Sequence, residues 1–515
     1  MSERANPELD TRAERFDLEG RSLRTHAARG TIVNTVYLIG LSVLGLLKGF
    51  VLAAFLTRSD YGIWGLTAVA FATLLWLKQA GIGDKYIQQD EPDQEVAFQK
   101  AFTFELLLTL AFFVVALPAV PLFALIYGEP RIIVPALVFL LALSAGVLQA
   151  PTWIFYRRMD FVRQRTLQAI DPVVGFVVSV VLAALGAGYW ALFIGVVAGA
   201  WASAIATVTQ SPYRLRWRFD RSALRSYASF SWPLFISNGS SLVIAQGAII
   251  ATQSHLGLAA TGVVALAQSI SSFTQRVDWL VTGTLYPAIC AVKNRLDLLL
   301  ESFVKSNRLA LMWAVPFGMA LTLFAGDLVS FGIGERWRPA VPVIAVFGAT
   351  AAIGHIGFNW DAYFRARGET RPLAVAAFAA MLSFLLLGIP LLLKYGLPGF
   401  AAGIAVQSVA HQLCRAYYLQ RLFEGFAFLR HAMRAVLPTL PAVAVVLLAR
   451  LVEGGAERTA AMAASELIAY VVVTAAATWL FEGPLLREAF GYLRGDQGAS
   501  GLVKPPGERA PAGVG

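Results

Sequence analysis

The sequence predicts an all-α polytopic membrane protein with about 14 transmembrane helices, and three observations lead there: repeated apolar runs of spanning length, loops that alternate in charge, and an internal repeat. Of the 515 residues, 57% are hydrophobic and 14% charged, a balance that a water-exposed surface does not tolerate. Stretches such as 103–126 and 373–393 match the roughly 20 apolar residues that cross about 30 Å of hydrocarbon. Helices satisfy their own backbone hydrogen bonds in lipid, and these runs are too long and too uniformly apolar for barrel strands, which excludes a porin.

Taken in order, residues 1–30 interleave six Arg with six Asp and Glu and hold no apolar core, so no cleavable signal peptide is expected. The first helix, 31–57, runs to the RSD break at 58–60, and the second, 61–82, to the charged segment DKYIQQDEPDQE. The third, 97–126, stops at YGEPR and the fourth, 132–155, at YRRMDFVRQR. GAGY divides the fifth, 166–185, from the sixth, 189–210, which ends at the basic SPYRLRWRFDRSALR. The seventh, 227–254, and eighth, 261–289, lie either side of a short break containing His255 and Gly257. KNRLDLLLESFVK precedes the ninth, 306–332, and GERWRP separates it from the tenth, 340–364. RARGETRP, KYGLP and RLFEG follow the tenth, the eleventh (373–393) and the twelfth (398–420). The thirteenth, 433–452, and fourteenth, 461–484, are joined by EGGAER. The Gly- and Pro-rich tail has little to bury and is expected to be disordered.

Charge tests this order independently of hydropathy. With both termini placed in the cytoplasm, the inner segments hold 32 of the 42 Lys and Arg and the outer loops hold seven, leaving Lys48, Lys78 and Arg276 inside spans. Such a bias is the positive-inside rule, and a missed helix would scramble it downstream. The net charge of +10 is therefore a topology signal, and no nucleic acid is expected as a partner. The outer loops are too short to carry an extracytoplasmic catalytic domain, so the chain is not expected to be an enzyme. Cys290 and Cys414 lack metal or disulfide spacing, the five His are scattered, and no metal is expected. GxxxxGK[ST] does not occur, which argues against direct ATP hydrolysis.

The chain also repeats itself. IYGEPRIIVPALVF (126–139) returns as GIGERWRPAVPVIAVF (332–347), and IFYRRMDF (154–161) as AYFRARGE (362–369), at offsets of about 200 to 210. The organisation read from this is a cytoplasmic segment 1–30, a six-helix lobe 31–212, a basic linker 213–226, a second lobe 227–423, two additional helices within 433–484, and a cytoplasmic tail 485–515. An even helix number makes the repeat parallel, and transporters of this kind hold substrate between their halves.

LTRSDYGIWGLTAVAFATLLWLKQAGIGDKYIQQ (56–89), GLAATGVVALAQSISSFTQRVDWLVTGTLYPAI (257–289), the RRMDF loop at 157–161 and WAL at 190–192 resemble the polysaccharide transporter family. That family sits in the multidrug/oligosaccharidyl-lipid/polysaccharide exporter superfamily, and the resemblance covers about residues 31–425. It implies two six-helix lobes around a central cavity, with helices thirteen and fourteen appended. It also implies a Wzx-type flippase that moves an undecaprenyl-pyrophosphate-linked oligosaccharide across the bacterial inner membrane. An ion-coupled multidrug exporter is the alternative, and a glycan polymerase or glycosyltransferase ranks last. The expected partners are the lipid-linked oligosaccharide, membrane lipids and other polysaccharide assembly proteins. No cofactor is expected, and coupling to a proton or sodium gradient is left open.

Ionisable groups inside a bilayer are costly and mark function first. Lys48, Lys78 and Arg276 fall in helices one, two and eight, which the family uses for its cavity. Asn34 shares a helix face with Lys48 by i, i+14 spacing. Gln268, Ser271, Ser272, Gln275, Trp279 and Thr282 form one polar stripe on helix eight beside Asp278, and Asn238 adds to a polar face of helix seven. Lys78, Lys48 and Arg276 could neutralise a pyrophosphate, Asn34, Asn238 and Gln275 could bond sugar hydroxyls, and Trp64 and Trp279 could stack on sugar rings. Against this, Lys78 could snorkel to the interface, the stripe could be helix-helix glue, and Asp278 could merely neutralise a neighbouring cation. Glu105, Asp171, Asp327, Asp361, Glu466 and Glu482 read as interfacial, although Asp278 or Glu105 could hold a coupling ion.

Overall fold

The computed structural model describes residues 23–57, 60–127 apart from positions 61, 62, 66, 69, 70, 72, 73, 76, 77 and 79, then 129–453 and 457–494. Among the described residues there is no strand. The first half runs α1 (Leu23–Phe55), helical residues between 60 and 78, α2 (Ile82–Gln88), α3 (Gln94–Tyr127), α4 (Ile133–Leu148), α5 (Thr152–Arg157), α6 (Phe161–Ala184) and α7 (Trp190–Thr209). The second runs α8 (Arg221–Ser271), α9 (Arg276–Ala291), α10 (Leu296–Asp327), α11 (Val341–Gly354), α12 (Trp360–Arg367), α13 (Arg371–Ser383) and α14 (Ile389–Leu422). After it come α15 (Phe428–Val436), α16 (Leu440–Glu453) and α17 (Ala460–Arg494).

Among the described residues, nine helices are long and apolar enough to cross a membrane, or ten when the bent pair α15–α16 counts as one span. The longest candidate, Arg371–Leu422, folds back at Gly396, whose φ of 65° and ψ of −141° suit glycine. Gly388 and Gly403 meet across that turn, where a Cβ on Gly403 would lie 2.5 Å from the Gly388 Cα. Large apolar side chains such as Val114, Leu125 and Val452 stand exposed, as a lipid-facing surface requires.

Helix pairing repeats between the halves. In the first, α3 packs on α4, α4 on α7, α6 on α7, and α1 on α6; in the second, α10 packs on α11, α11 on α14, α13 on α14, and α8 on α13. Small residues permit the close crossings, since a Cβ on Gly318 would lie 2.5 Å from the Gly348 carbonyl oxygen. The appended α17 lies along α10: Tyr470 donates to the Pro316 carbonyl at 2.8 Å, Arg308 pairs with Glu482, and Lys305 with Glu488 at 2.7 Å. At the far end Arg458 bonds Asp327 and, at 2.6 Å, Glu466, while Arg450 reaches the same two carboxylates at 3.3 and 3.1 Å. These acids, read from sequence as interfacial, are therefore fasteners between α10, α16 and α17.

Several predicted helices are broken, each for a local reason. The predicted 61–82 helix stops before Gly81, whose φ of 71° starts α2. The predicted 132–155 helix divides into α4 and α5 at 149–151, where Pro151 has no N–H for the ladder. The predicted 340–364 helix divides at 355–359: Gly357 has φ 73°, its N–H donates to Asn307 Oδ1 at 3.0 Å, and Asn307 Nδ2 donates to the His355 carbonyl at 3.1 Å. A 3₁₀ turn at 272–275 interrupts helix eight. Because that turn winds about 120° per residue instead of about 100°, the expected single polar stripe is divided. Ser271 is buried, Ser272 exposed and Gln275 intermediate. The seventh helix starts six residues early because Asp220 caps α8, accepting from the Ser222 and Ala223 N–H groups at 2.8 and 3.3 Å. Its carboxyl is held well below the usual carboxylate range, first by the Ser222 hydroxyl and then by Lys100.

Candidate functional site

Two of the helix breaks, at 80–81 and 355–359, meet at one cavity between the halves. It encloses about 490 Å³ and is lined from the first half by Lys78, the 80–84 turn and Glu105 of α3. From the second half come Ser237 and Asn238 of α8, Phe358, the α12 residues Trp360, Asp361 and Arg365, and His411 and Arg415 of α14. The breaks at 80–81 and 355–359 are what allow backbone turns and charged side chains to meet at this depth, since irregular backbone survives there only when it lines a polar space. A larger hollow of about 770 Å³ lies wholly within the second half, among 296–300, 364–372 and 418–424. It does not separate the halves and cannot be a translocation path between them.

Every cation on the inter-half cavity has a partner. Lys78 pairs with Glu105 at 3.1 Å. Arg365 bonds Asp84 at 2.6 Å and Asp361 at 3.2 Å, and lies over the Tyr286 ring. Arg415, 4% exposed, donates to the Gly354 and Ile356 carbonyls at 2.5 and 3.2 Å and to Gln412 Oε1 at 3.1 Å, between Phe358 and Trp360. The Nε atoms of both arginines are nevertheless buried without an acceptor. Such unmet guanidinium donors beside a polar space are suited to an oxyanion.

The contacts that join the halves gather on the face carrying most of the basic loops, with α2 at their centre. Asp84 takes Arg365 from the other half, and the Tyr286 hydroxyl donates to the Asp84 carbonyl at 3.3 Å. Lys293 donates to the Gln88 carbonyl at 2.7 Å and pairs with Asp90 at 2.5 Å, while Arg157 from the first half holds the Tyr86 and Ile87 carbonyls. The carbonyls at the α2 C-terminus thus receive cations from both sides, as the helix dipole favours. Burial lowers the Lys85 ammonium below the usual lysine range, with Lys293 adding to the effect and Asp90 opposing it. Asn34 donates to Thr284 at 2.7 Å and Tyr156 to the Gly283 carbonyl, extending the seam.

The sequence candidates distribute unevenly over this arrangement. Lys78 and Asn238 line the cavity together. Asp278 is 1% exposed, within electrostatic reach of Asp361 and Arg415, and its Oδ2 has no hydrogen-bond partner. Asn34 is spent in the seam, accepting from Arg165 Nε at 2.6 Å as well as bonding Thr284. Lys48 lies within reach of Asp171 inside the first half. Gln275 ends the 3₁₀ turn, and the side chains of Arg276 and Trp279 lie outside the described residues. Trp64 packs edge-on against Phe139 and Phe193 inside the first half.

Sequence reasoning passes over Arg365, Arg415 and Asp84. Arg415 falls within the predicted 398–420 helix, yet grouping it with the basic-side segments hides it among topology signals. The available clue is Asp361 and Arg365 at i, i+4 spacing beside glycines that break a span.

A family model described as "Polysaccharide biosynthesis protein" matches residues 51–342. A similar protein is the succinoglycan biosynthesis transport protein ExoT of Rhizobium meliloti (strain 1021), 22% identical over 307 residues. That match takes in 59% of this chain and 62% of the relative, so the chain spans less than two thirds of the relative's length. Among solved structures, an outward-facing multidrug resistance MATE family transporter of the MOP superfamily is similar with TM-score 0.65 and 14% identity, covering 78% of this chain and 95% of that one. A MOP superfamily transporter from Pyrococcus furiosus Vc1 gives 0.63 and 14%, with the same coverage of each chain. These likenesses establish the fold.

Proposed function

The chain belongs to the family of polysaccharide biosynthesis proteins, and from that premise we propose that it is a flippase for a lipid-linked oligosaccharide in the bacterial inner membrane, its basic face and both termini in the cytoplasm. The observation that carries this reading is the polar cavity between the two halves, bordered by the inter-half pair Asp84–Arg365 and the contacts around α2. A bilayer-crossing sugar needs such a space, because its hydroxyls find no partners in hydrocarbon.

Opening toward the cytoplasm separates Asp84 from Arg365, and the freed guanidinium then meets the undecaprenyl-linked pyrophosphate. Arg415 and Lys78 add positive charge, Arg being able to grip two oxygens. Ser237 and Asn238 offer hydrogen bonds to sugar hydroxyls. The prenyl tail stays in lipid while the halves rock and reform the α2 seam behind the headgroup. No bond is made or broken, so the role is transport and not enzymatic. Asp278, with one bare carboxylate oxygen, is the proposed carrier for a proton or sodium ion that drives the cycle.

The test is deletion of the gene, followed by analysis of lipid-linked intermediates. Accumulation of undecaprenyl-pyrophosphate oligosaccharide with loss of surface glycan is expected. Normal glycan combined with drug sensitivity would replace this reading with a multidrug exporter.

A further inference from the structure

Helix α15 presents three different surfaces. Winding about 100° per residue, it places Leu429, Met433 and Leu437 along one exposed strip, with 72%, 59% and 43% of each accessible. Arg430 and Arg434 form a second exposed strip beside the first, and among the described residues neither makes an ion pair. The third surface is buried: His431 bonds Asn307 at 2.8 Å, and Ala435 packs with Leu311, Val315 and Ile356.

Length fixes where this helix lies. The 14 residues of α16 extend about 21 Å and fall short of the roughly 30 Å of hydrocarbon. The pair α15–α16 passes as one span only together, bent by 49°, which puts the 437–439 turn and the end of α15 beside the membrane on the basic face. The arginines then stand at the headgroup level of the basic-face leaflet while Met433 and Leu437 enter its acyl region, the arrangement of an interfacial amphipathic helix.

We propose that the exposed face of α15 is a docking surface for anionic phospholipid headgroups of that leaflet, and that this seating steadies the broken segment 355–359. The buried face supplies the connection. His431 holds Asn307, which in turn fixes the Gly357 N–H and the His355 carbonyl, and Phe428 and Ala432 pack in the same cluster as Ile356. The next residues, Phe358 and Trp360, are cavity wall. A continuous chain of contacts therefore runs from α15 through His431 and Asn307 to the backbone beside the cavity wall, whichever substrate the cavity carries.

The experiment uses the full-length protein reconstituted in phosphatidylcholine vesicles with and without phosphatidylglycerol, read by hydrogen exchange over 428–436 and 355–359. Phosphatidylglycerol is expected to slow exchange in both segments, and raised salt to reverse this. Arg430→Gln with Arg434→Gln should weaken the response, by roughly fivefold in lipid affinity per charge removed. Arg430→Lys with Arg434→Lys should keep it, since a headgroup at a membrane surface needs only a point charge. No response in the native chain, or an equal response in the Gln pair, overturns the proposal. Slowing confined to 428–436 would overturn the coupling to the cavity wall.

Discussion

Asp84→Asn removes the charge from the inter-half pair while leaving an oxygen that Arg365 can still bond. The pair lies at 2.6 Å with side chains 23% and 27% exposed, so it is screened in part. Two unit charges about 4 Å apart interact by roughly 4 kcal/mol at an effective dielectric of about 20, but Arg365 keeps Asp361 at 3.2 Å and the amide recovers some of the bond. A net loss of about 1.5–3 kcal/mol, typical of a hydrogen bond to a charged group, is the reasonable magnitude. If the state open to the basic face is a minor one, its population then rises about 10- to 150-fold. Cysteine labelling reads this directly. In a chain with Cys290→Ala and Cys414→Ala, Ser237→Cys lines the cavity, and an impermeant maleimide applied to inside-out vesicles reaches it only when that face opens. Labelling should accelerate by the same factor in Asp84→Asn. Lys293→Gln should accelerate it only about two- to fivefold, because its partner Asp90 is half exposed and such pairs contribute about 0.5–1 kcal/mol. An unchanged rate in Asp84→Asn would refute the seam as the barrier.

Two further outcomes follow from the same geometry. Gly357→Ala should destabilise the protein by about 1–2 kcal/mol, since φ is 73° and the new Cβ meets Leu419 Cδ1 at 2.9 Å; Gly45→Ala, with nothing within 4 Å, should be neutral or mildly stabilising, and thermal unfolding in detergent separates the two. Arg458→Ala should lower stability by about 1.5–3 kcal/mol, because Asp327 and Glu466 are 11% and 4% exposed and would keep only Arg450; denaturant unfolding that matches the unsubstituted protein would deny the fastening of α16–α17 to α10.

The parts of this fold that hydropathy and charge bias can register were legible in the sequence. The long spans α3, α6 and α7 fall where apolar periodicity puts them, α10 begins ten residues before the expected 306, and the repeat reappears as the same four helix pairings in each half. The cavity was less legible, for a physical reason. A charged side chain inside a span is read as functional, a test that Lys48 satisfies, and Asn34 is added because it shares a helix face with it. Yet the first lies within electrostatic reach of Asp171 inside one half and the second is consumed in the seam.

Part of the cavity lining instead sits where spans are interrupted, at 80–84 and 358–365, where a span looks shorter and its charges look like loop charges, while Arg415 sits near the end of a span and is counted with the basic segments. Arg365 and Arg415 therefore count toward the positive-inside bias that gives the topology, and the same counting conceals their position between the halves. The two roles are physically linked. A basic residue close to the cytoplasmic end of a span is cheap to insert, and after folding the broken helices carry it inward, where desolvation by the other half gives its charge a strength that water would have screened. A cavity built from span-end cations is thus one that a membrane can assemble without placing a bare charge at its centre. The acids Asp84, Glu105 and Asp361 pair with Arg365 and Lys78 among them, and of these pairs only Asp84–Arg365 crosses the seam and is broken when it opens.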